Sequence, residues 1–118
     1  MYSTAMVFFG TWVPVNSVFG QRLRKVLEDD GCAPVSTDVE GVDITWLGSA
    51  PMGEEQIAIY ASVSVQHYDP SEDPGQPRQI VDHFQATSAG KIQQFLQQQG
   101  MVRADVAPLG WHLGGRCS

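Results

Sequence analysis

Basic residues are missing from almost half of this chain. The 52 residues between Lys25 and Arg78 contain eleven carboxylates and no lysine or arginine. The rest of the 118-residue chain has seven basic residues against Asp82 and Asp105 alone, so the formal charge of -6 combines an acidic segment with weakly basic flanks. Because nucleic-acid binding rests on a basic patch that neutralises phosphates, this balance argues against direct nucleic-acid binding.

Cysteine is nearly absent, with Cys32 and Cys117 the only two. Two cysteines so far apart form neither a zinc site nor a redox CxxC pair, and the sequence does not decide whether they form a disulfide with each other. The three histidines, His67, His83 and His112, have no spacing that predicts a metal centre. We therefore expect no metal and no cofactor.

Long apolar runs are absent too. A membrane span needs about twenty apolar residues, whereas the uncharged first 21 residues are interrupted by Gly10, Pro14, Asn16 and Ser17. This segment also lacks the basic start and cleavage pattern of a signal peptide. We expect no membrane association and a cytoplasmic location. The length and the 42% hydrophobic content are those of one globular domain, residues 1–118.

The motifs of common enzyme classes are missing as well. Gly90-Lys91 resembles part of a phosphate-binding loop, but Gln85 stands where its first glycine belongs and Ile92 where a serine or threonine binds magnesium. The acidic segment after Asp69 begins like a calcium loop, but Pro74 stands at its obligatory glycine. The missing motifs argue against an enzyme, and an enzyme is kept as an alternative.

The first strand, predicted at residues 4–15, is apolar on both faces. Ala5, Val7, Phe9 and Val13 point one way, and Met6, Phe8 and Trp12 point the other. Such a strand lies in the centre of a sheet with cover on both sides. Helices can cover one face; a second copy of the chain or a long loop is expected over the other.

Two helices are predicted. Ser17 caps the first, which runs to about Asp30 before Gly31. The second starts at Thr87 or Ser88 and runs through Gln99, with Gly100 after it. In this second helix the inward side chains are Ile92, Phe95 and Leu96, and Met101 is expected to contact Leu96.

The remaining elements are strands and a loop. Residues 42–47 and 56–68 alternate apolar and polar side chains, and 56–68 are expected to be half-buried. Residues 69–77 form a loop. Residues 79–86 are ambiguous, with a strand favoured over a helix. Residues 104–113 form a last strand, at a sheet edge because of Pro108. The order β-α-β-β-(β)-α-β predicts an α+β two-layer sandwich of ferredoxin-like type, with an antiparallel sheet and two helices on one face.

The first helix is charged against its macrodipole. Arg22, Arg24 and Lys25 occupy its early turns and acidic residues its last turn, whereas the macrodipole favours the reverse. Residues that break a local rule often belong to functional sites. We therefore predict a small acidic protein-binding module of the inhibitor, immunity or phage counter-defence type, docking a basic protein surface such as that of a nucleic-acid-binding protein. The predicted contact residues are Glu28, Asp29, Asp30, Asp38, Glu40, Glu54 and Glu55.

Two alternatives remain. One is a small dimeric enzyme or ligand-binding protein with an aromatic and histidine pocket, formed by Trp12, Tyr60, Tyr68, His67 and His112. In that region, Tyr60 and Trp12 suit the interface of a homodimer better than a pocket. The other alternative is a structural or assembly subunit, in which the two-faced first strand marks a permanent interface.

Overall fold

The computed structural model describes residues 5–31, 33–48, 55–68, 82–101 and 106–116. Their elements are β1 (Ala5–Pro14), α1 (Val18–Leu27), a 3-10 turn (Glu28–Asp30), β2 (Val35–Ser36), β3 (Val42–Gly48), β4 (Glu55–Ala61), a 3-10 turn (Ser62–Ser64), β5 (Gln66–Tyr68), α2 (Asp82–Gln98) and β6 (Gly110–Arg116). This confirms the predicted α+β class. The predicted loop 69–77 and both cysteines lie outside the described residues.

β1 is the central strand, as predicted. It pairs with β4 through Gly10–Pro14 and with β6 through Ala5–Gly10, and every ladder of the sheet is antiparallel. Both of its faces are buried, since Phe8 and Val13, on opposite faces, are each 0% exposed. Alternating apolar side chains on both faces account for this position.

One face of the sheet is covered by the two helices, which pack on a shared cluster. α1 contributes Leu23 and Leu27, and α2 contributes Ile92 and Phe95. We call this the helix-covered cluster; its strand residues include Phe9, Val13, Val42, Ile44, Ile57, Ile59 and Ala61. The two helices therefore lie on one face, as the spacing of their apolar residues predicted.

The predicted start of α1 and the predicted end of α2 are present, whereas α1 ends at Leu27 and residues 28–30 form a 3-10 turn. The Ser17 hydroxyl accepts a hydrogen bond of 2.9 Å from the Gly20 amide at the start of α1. At the end of α2, the Met101 amide donates to the Leu96 carbonyl (2.9 Å) and the Gly100 amide to the Gln97 carbonyl (3.0 Å). With Gly100 at φ 72°, this is a Schellman ending.

α2 starts earlier than predicted. It begins at Asp82, so the strand predicted over residues 79–86 is wrong for its described part, Asp82–Ala86. In the sequence, the spacing of Ile80, Val81 and Phe84 fits a helix, whereas the β-branched pair Ile80 and Val81 favours a strand. The spacing was the better guide.

The opposite face of the sheet is covered by the sheet itself. β6 pairs with β1 along its length and with β3 at Gly115 and Arg116, so antiparallel ladders connect β1, β4, β3 and β6 in a closed ring. This ring surrounds what we call the enclosed cluster, formed by Met6, Phe8, Leu47, Ala58 and Tyr60. Within the described residues, neither a second copy nor a long loop is required to bury it.

Glycine permits this closure at two positions. A Cβ on Gly114 would lie 2.5 Å from Leu47 Cδ1, so the Leu47 side chain packs directly on the β6 backbone. A Cβ on Gly10 would overlap the Ile59 carbonyl oxygen. Both are close approaches that only a residue without a side chain allows.

The long strand predicted at 56–68 is interrupted, and it is not half-buried. It ends at Ala61, turns through Ser62–Ser64 and resumes as β5. Strict alternation over 56–68 puts Val63 in the inward apolar row and Tyr60 in the opposite, polar row. In the structure Tyr60 is 2% exposed, whereas Val63 is 73% exposed. The Ser64 hydroxyl accepts from the Phe9 amide (2.9 Å) and donates to the Ala61 carbonyl (2.7 Å), which satisfies the β1 backbone where the ladder is broken.

The strand order differs from the predicted ferredoxin-like sheet. It runs β2-β3-β4-β1-β5, and β6 lies off this path because it pairs with both β1 and β3. The last strand starts at Gly110 rather than at residue 104. Proline has no amide to donate to a ladder, so Pro108 stays outside β6, although the Ala107 amide still donates to the Trp12 carbonyl at 3.0 Å.

Candidate functional site

Four of the predicted contact carboxylates are exposed on loops at one end of the sheet. Glu28 and Asp29 follow α1, and Asp38 and Glu40 lie in the turn before β3. α1 follows the Pro14 end of β1 through the Ser17 cap, and Leu27 at its other end belongs to the same buried cluster as Val39 and Val42. We call these four residues the acidic end.

Of the other three predicted contact residues, Glu55 lies at the other end of the sheet. Glu55 pairs with Gly48, six residue steps from Val42 along β3, which is about 20 Å in an extended strand. Asp30 ends the 3-10 turn beside Glu28 and Asp29. Glu54 lies outside the described residues.

The acidic end contains little compensating charge. Glu28 forms an ion pair of 3.3 Å with Arg24, and both side chains are 53% exposed; such surface pairs contribute little to stability. Among the described residues, Asp29, Asp38 and Glu40 form no ion pair. Lys91 of α2 also reaches the turn before β3: its Nζ lies 3.4 Å from the position a Cβ would take on Gly41, the residue after Glu40.

The reversed charge pattern predicted for the first helix is wrong for two of its three basic residues. α1 ends at Leu27, so Arg24 and Lys25 lie in its last turn, where the macrodipole favours basic residues, and the carboxylates follow in the 3-10 turn. The third basic residue, Arg22, has a partner outside its own helix. Arg22 Nη1 donates a 2.9 Å hydrogen bond to the Gln99 carbonyl, and its guanidinium lies 5.3 Å from the centre of the Phe19 ring. Arg22 therefore places positive charge at the C-terminus of α2, where the macrodipole favours it. Sequence reasoning missed this because it compared Arg22 only with its own helix.

The predicted aromatic and histidine pocket is filled. Tyr60 and His112 both lie against Phe8, with ring centres 5.8 Å and 5.6 Å away, and Trp12 packs at the margin of the same enclosed cluster. His112 Nε2 is 2.8 Å from the Pro108 carbonyl oxygen. Phe8 thus occupies the space that the pocket was expected to enclose.

The other two residues of that prediction lie on β5. His67 stands opposite Met6 and Tyr68 opposite Ala5 in the ladder with β1. The structure therefore brings Tyr60 and His112 against Phe8, and places Trp12 at the margin of the enclosed cluster. Tyr60 is a core residue within one chain, so its expected place in a dimer interface is wrong.

A groove of about 760 Å³ lies on the helix-covered side of the sheet, between α2 and the segment Val106–Leu109. Its lining comprises Thr11, Gln93, Leu96, Gln97, Met101, Val106, Ala107, Pro108 and Leu109. The described lining is uncharged. Sequence reasoning missed the groove because residues 104–113 were read as one strand.

Hydrogen bonds hold one wall of this groove against β1. The Thr11 hydroxyl donates to the Ala107 carbonyl (2.5 Å), and the Ala107 amide donates to Trp12. The Pro108 carbonyl is held by His112. The carbonyls of Ala107 and Pro108 are thus both engaged, and the lining also includes the exposed amide side chains of Gln93 and Gln97.

Neither a metal cluster nor a membrane span is found among the described residues. No group of three or more His, Cys, Asp or Glu side chains there is arranged to hold a metal ion. None of the described helices is long and apolar enough to cross a membrane.

Fold and surface together define a small α+β protein with an acidic end and, elsewhere, an uncharged groove. Comparison with known proteins adds no relative: no family model, no curated protein and no solved structure matches the chain.

Proposed function

We propose that this chain is a small acidic protein-binding module that docks a basic protein surface through its acidic end. The supporting observation is that Glu28, Asp29, Asp38 and Glu40 are all exposed, and that only Glu28 of these four has an ion-pair partner among the described residues. Inhibitors, immunity proteins and phage counter-defence proteins that block a nucleic-acid-binding surface belong to this physical class. We place such a function in the cytoplasm.

The physical basis is electrostatic steering. Like charges held close together raise the local potential and accelerate encounters with a surface of opposite charge. Salt screens this attraction beyond roughly 8 Å at physiological ionic strength. The association rate with the partner should therefore fall steeply as salt is added. Glu55, the first residue of β4, lies opposite Gly48 at the other end of β3. It therefore contributes less to this field than the four carboxylates of the acidic end.

The test is capture of the partner from the native cell, followed by association rates for matched variants. Neutralising the acidic end by E28Q, D29N, D38N and E40Q should slow association and flatten its salt dependence. The control E55Q removes one charge at the opposite end and should leave the rate nearly unchanged. A wild-type association rate independent of salt, or an equal loss in E55Q, contradicts the proposal.

We also propose that the four long strands form a ferredoxin-like core to which β2 and β5 are additions. The support is the order β6-β1-β4-β3 with antiparallel neighbours throughout, together with α1 after the first strand and α2 before the last. This proposal concerns architecture alone, because a fold does not determine a function.

The groove supports a second candidate, binding of a small neutral ligand. Its volume of about 760 Å³ lies in the range of small-molecule sites, roughly 300–1,000 Å³. An apolar floor with two amides at the rim suits an uncharged apolar molecule with one hydrogen-bonding group. Saturable binding of the neutral dye Nile red should disappear in A107F and persist in the control V63F, at an exposed position elsewhere. Equal binding by both variants contradicts a site in the groove.

A further inference from the structure

The chain segment before β6, which forms one wall of the groove, is out of register with β1. Gly10 pairs with Gly110. The same register, carried on, would place Pro108 opposite Trp12. Proline has no amide to donate, and the Trp12 carbonyl accepts a bond from the Ala107 amide instead, at 3.0 Å. The regular ladder between β1 and β6 therefore stops short of this wall, and side chains hold it as well.

Two side chains bind the carbonyls of this wall. The Thr11 hydroxyl donates to the Ala107 carbonyl at 2.5 Å, and His112 Nε2 lies 2.8 Å from the Pro108 carbonyl oxygen. The His112 contact is exposed, so water can take its place. The Thr11 contact is part-buried, and Thr11 itself is 0% exposed. Of the two, the Thr11 bond is the one whose loss leaves a carbonyl unpaired, which costs free energy.

Thr11 is a polar residue at an apolar position. Its neighbours on the same face of β1, Phe9 and Val13, belong to the helix-covered cluster. A valine has nearly the same shape, and it would need no hydrogen-bond partner on this face. The Thr11 hydroxyl has a partner 96 residues away in the chain, the Ala107 carbonyl, and Thr11 also lines the groove. The hydroxyl therefore serves the contact with the wall rather than the packing of the strand.

We infer that Thr11 is the positioning residue of the groove, and that its hydroxyl keeps the wall segment Val106–Leu109 in the position that binds a ligand. This inference rests on the second candidate function, the binding of a small neutral ligand. The apparent Kd of a protein rises as the fraction of its binding-competent form falls. Without the Thr11 bond the wall leaves that form more often, so binding weakens. By the reciprocity of coupled equilibria, a bound ligand in turn favours the bond between Thr11 and Ala107.

Matched substitutions separate the hydroxyl from the shape of the side chain, with Nile red as the probe. T11V keeps the branched shape and removes the hydroxyl, whereas T11S keeps the hydroxyl. T45V removes the hydroxyl of another buried threonine, 4% exposed and opposite Ala58 on the enclosed side of β3. We expect T11V to raise the Kd by about threefold to fivefold, up to the equilibrium factor of one hydrogen bond. T11S and T45V should leave it within about 1.5-fold of wild type.

Two results would overturn the inference in this experiment. Urea unfolding measures the stability of each variant, so binding is compared where all of them are folded. An equal rise in Kd for T11V and T45V would mean that binding follows general stability alone. A rise for T11S as large as that for T11V would mean that the hydroxyl is not what positions the wall.

Hydrogen exchange tests the wall without a ligand. The Ala107 amide is bonded to the Trp12 carbonyl and reports on this segment. It should exchange about fivefold faster in T11V than in wild type, and at the wild-type rate in T11S and T45V. If wild type does not bind Nile red, the proposed ligand binding fails, and the exchange rates alone decide the role of Thr11. An Ala107 amide that exchanges equally fast in T11V and wild type overturns the inference.

Discussion

The two faces of β1 are buried to the same extent by different means. On one face, Phe9 and Val13 lie under two helices; on the other, Met6 and Phe8 lie inside a sheet that closes on itself. The helices can be predicted from the sequence, through the spacing of their apolar residues and their caps. The closure of the sheet cannot, because it depends on residues that are far apart in the chain and meet only in the folded protein.

This difference shows which burial arguments a sequence supports. That β1 needs cover on both faces follows from its own alternation. The second cover is the closed sheet. It depends on Gly10 and Gly114, because the absence of a side chain at each lets Ile59 and Leu47 approach closely. A glycine in a strand indicates a close approach without indicating which residue approaches.

The largest effect is expected from emptying the enclosed cluster. Phe8 is 0% exposed and contacts Tyr60 and His112, so F8A should lower the free energy of unfolding by about 3–5 kcal/mol. The matched variant F95A, at a 4% exposed position under the helices, should cost a similar amount. Urea unfolding of both measures this. A much smaller loss in F8A would show that the closed sheet packs loosely.

Replacing Gly10 and Gly90 with alanine should change the free energy of unfolding in opposite directions. G10A places a Cβ against the Ile59 carbonyl and 2.7 Å from the Tyr60 Cα, both backbone atoms that cannot turn aside; we expect a loss of about 3 kcal/mol. Gly90 lies in α2 with no atom within 4 Å of an added Cβ, so G90A should gain about 0.5–1 kcal/mol. Thermal unfolding compares them, and a neutral G10A contradicts the close approach.

Local signals predicted much of the fold. Ser17 and Gly100 mark helix ends through their own backbone chemistry, and both are found where expected. The errors fall where tertiary contacts override local pattern. Ser62–Ser64 alternate like a strand, yet turn so that Ser64 can bond the Phe9 amide. The start of α2 at Asp82 was obscured by the β-branched residues before it.

Sequence reasoning resolved the candidate site less well than the fold. The composition showed that the segment is acidic. It did not show that Glu55 lies at the other end of β3 from Asp38 and Glu40, because this depends on the ladder that pairs Gly48 with Glu55. The groove depends on Ala107 being tied to Thr11, a contact 96 residues apart in sequence. Neither the Gly48–Glu55 pairing nor the Thr11–Ala107 contact can be predicted from the local pattern of side chains.

Arg22 offers a smaller test on the helix-covered side. R22Q removes a charged donor from the Gln99 carbonyl and a cation from the Phe19 ring, so stability should fall by about 1 kcal/mol. The control R24Q breaks the exposed pair with Glu28 and should cost at most about 0.5 kcal/mol. Urea unfolding at low salt separates them. Equal effects would mean that Arg22 does not act as a cap for α2.

The smallest effect concerns Asp43, the carboxylate that stands opposite Tyr60 on the enclosed side of β3. Burial raises the pKa of Asp43 above its ordinary value of 3.8, and a hydrogen bond from Ser36 lowers it by less. The folded state therefore binds this proton more tightly than the unfolded state, and stability falls as pH rises from 3.8 through the raised pKa. D43N keeps an acceptor for Ser36 and no charge, so its stability relative to wild type should grow across that window and then level off. Urea midpoints at a series of pH values measure this, with D38N on the neighbouring exposed turn as the control. A difference between D43N and wild type that is constant with pH would show that this carboxylate titrates alike in the folded and unfolded chain.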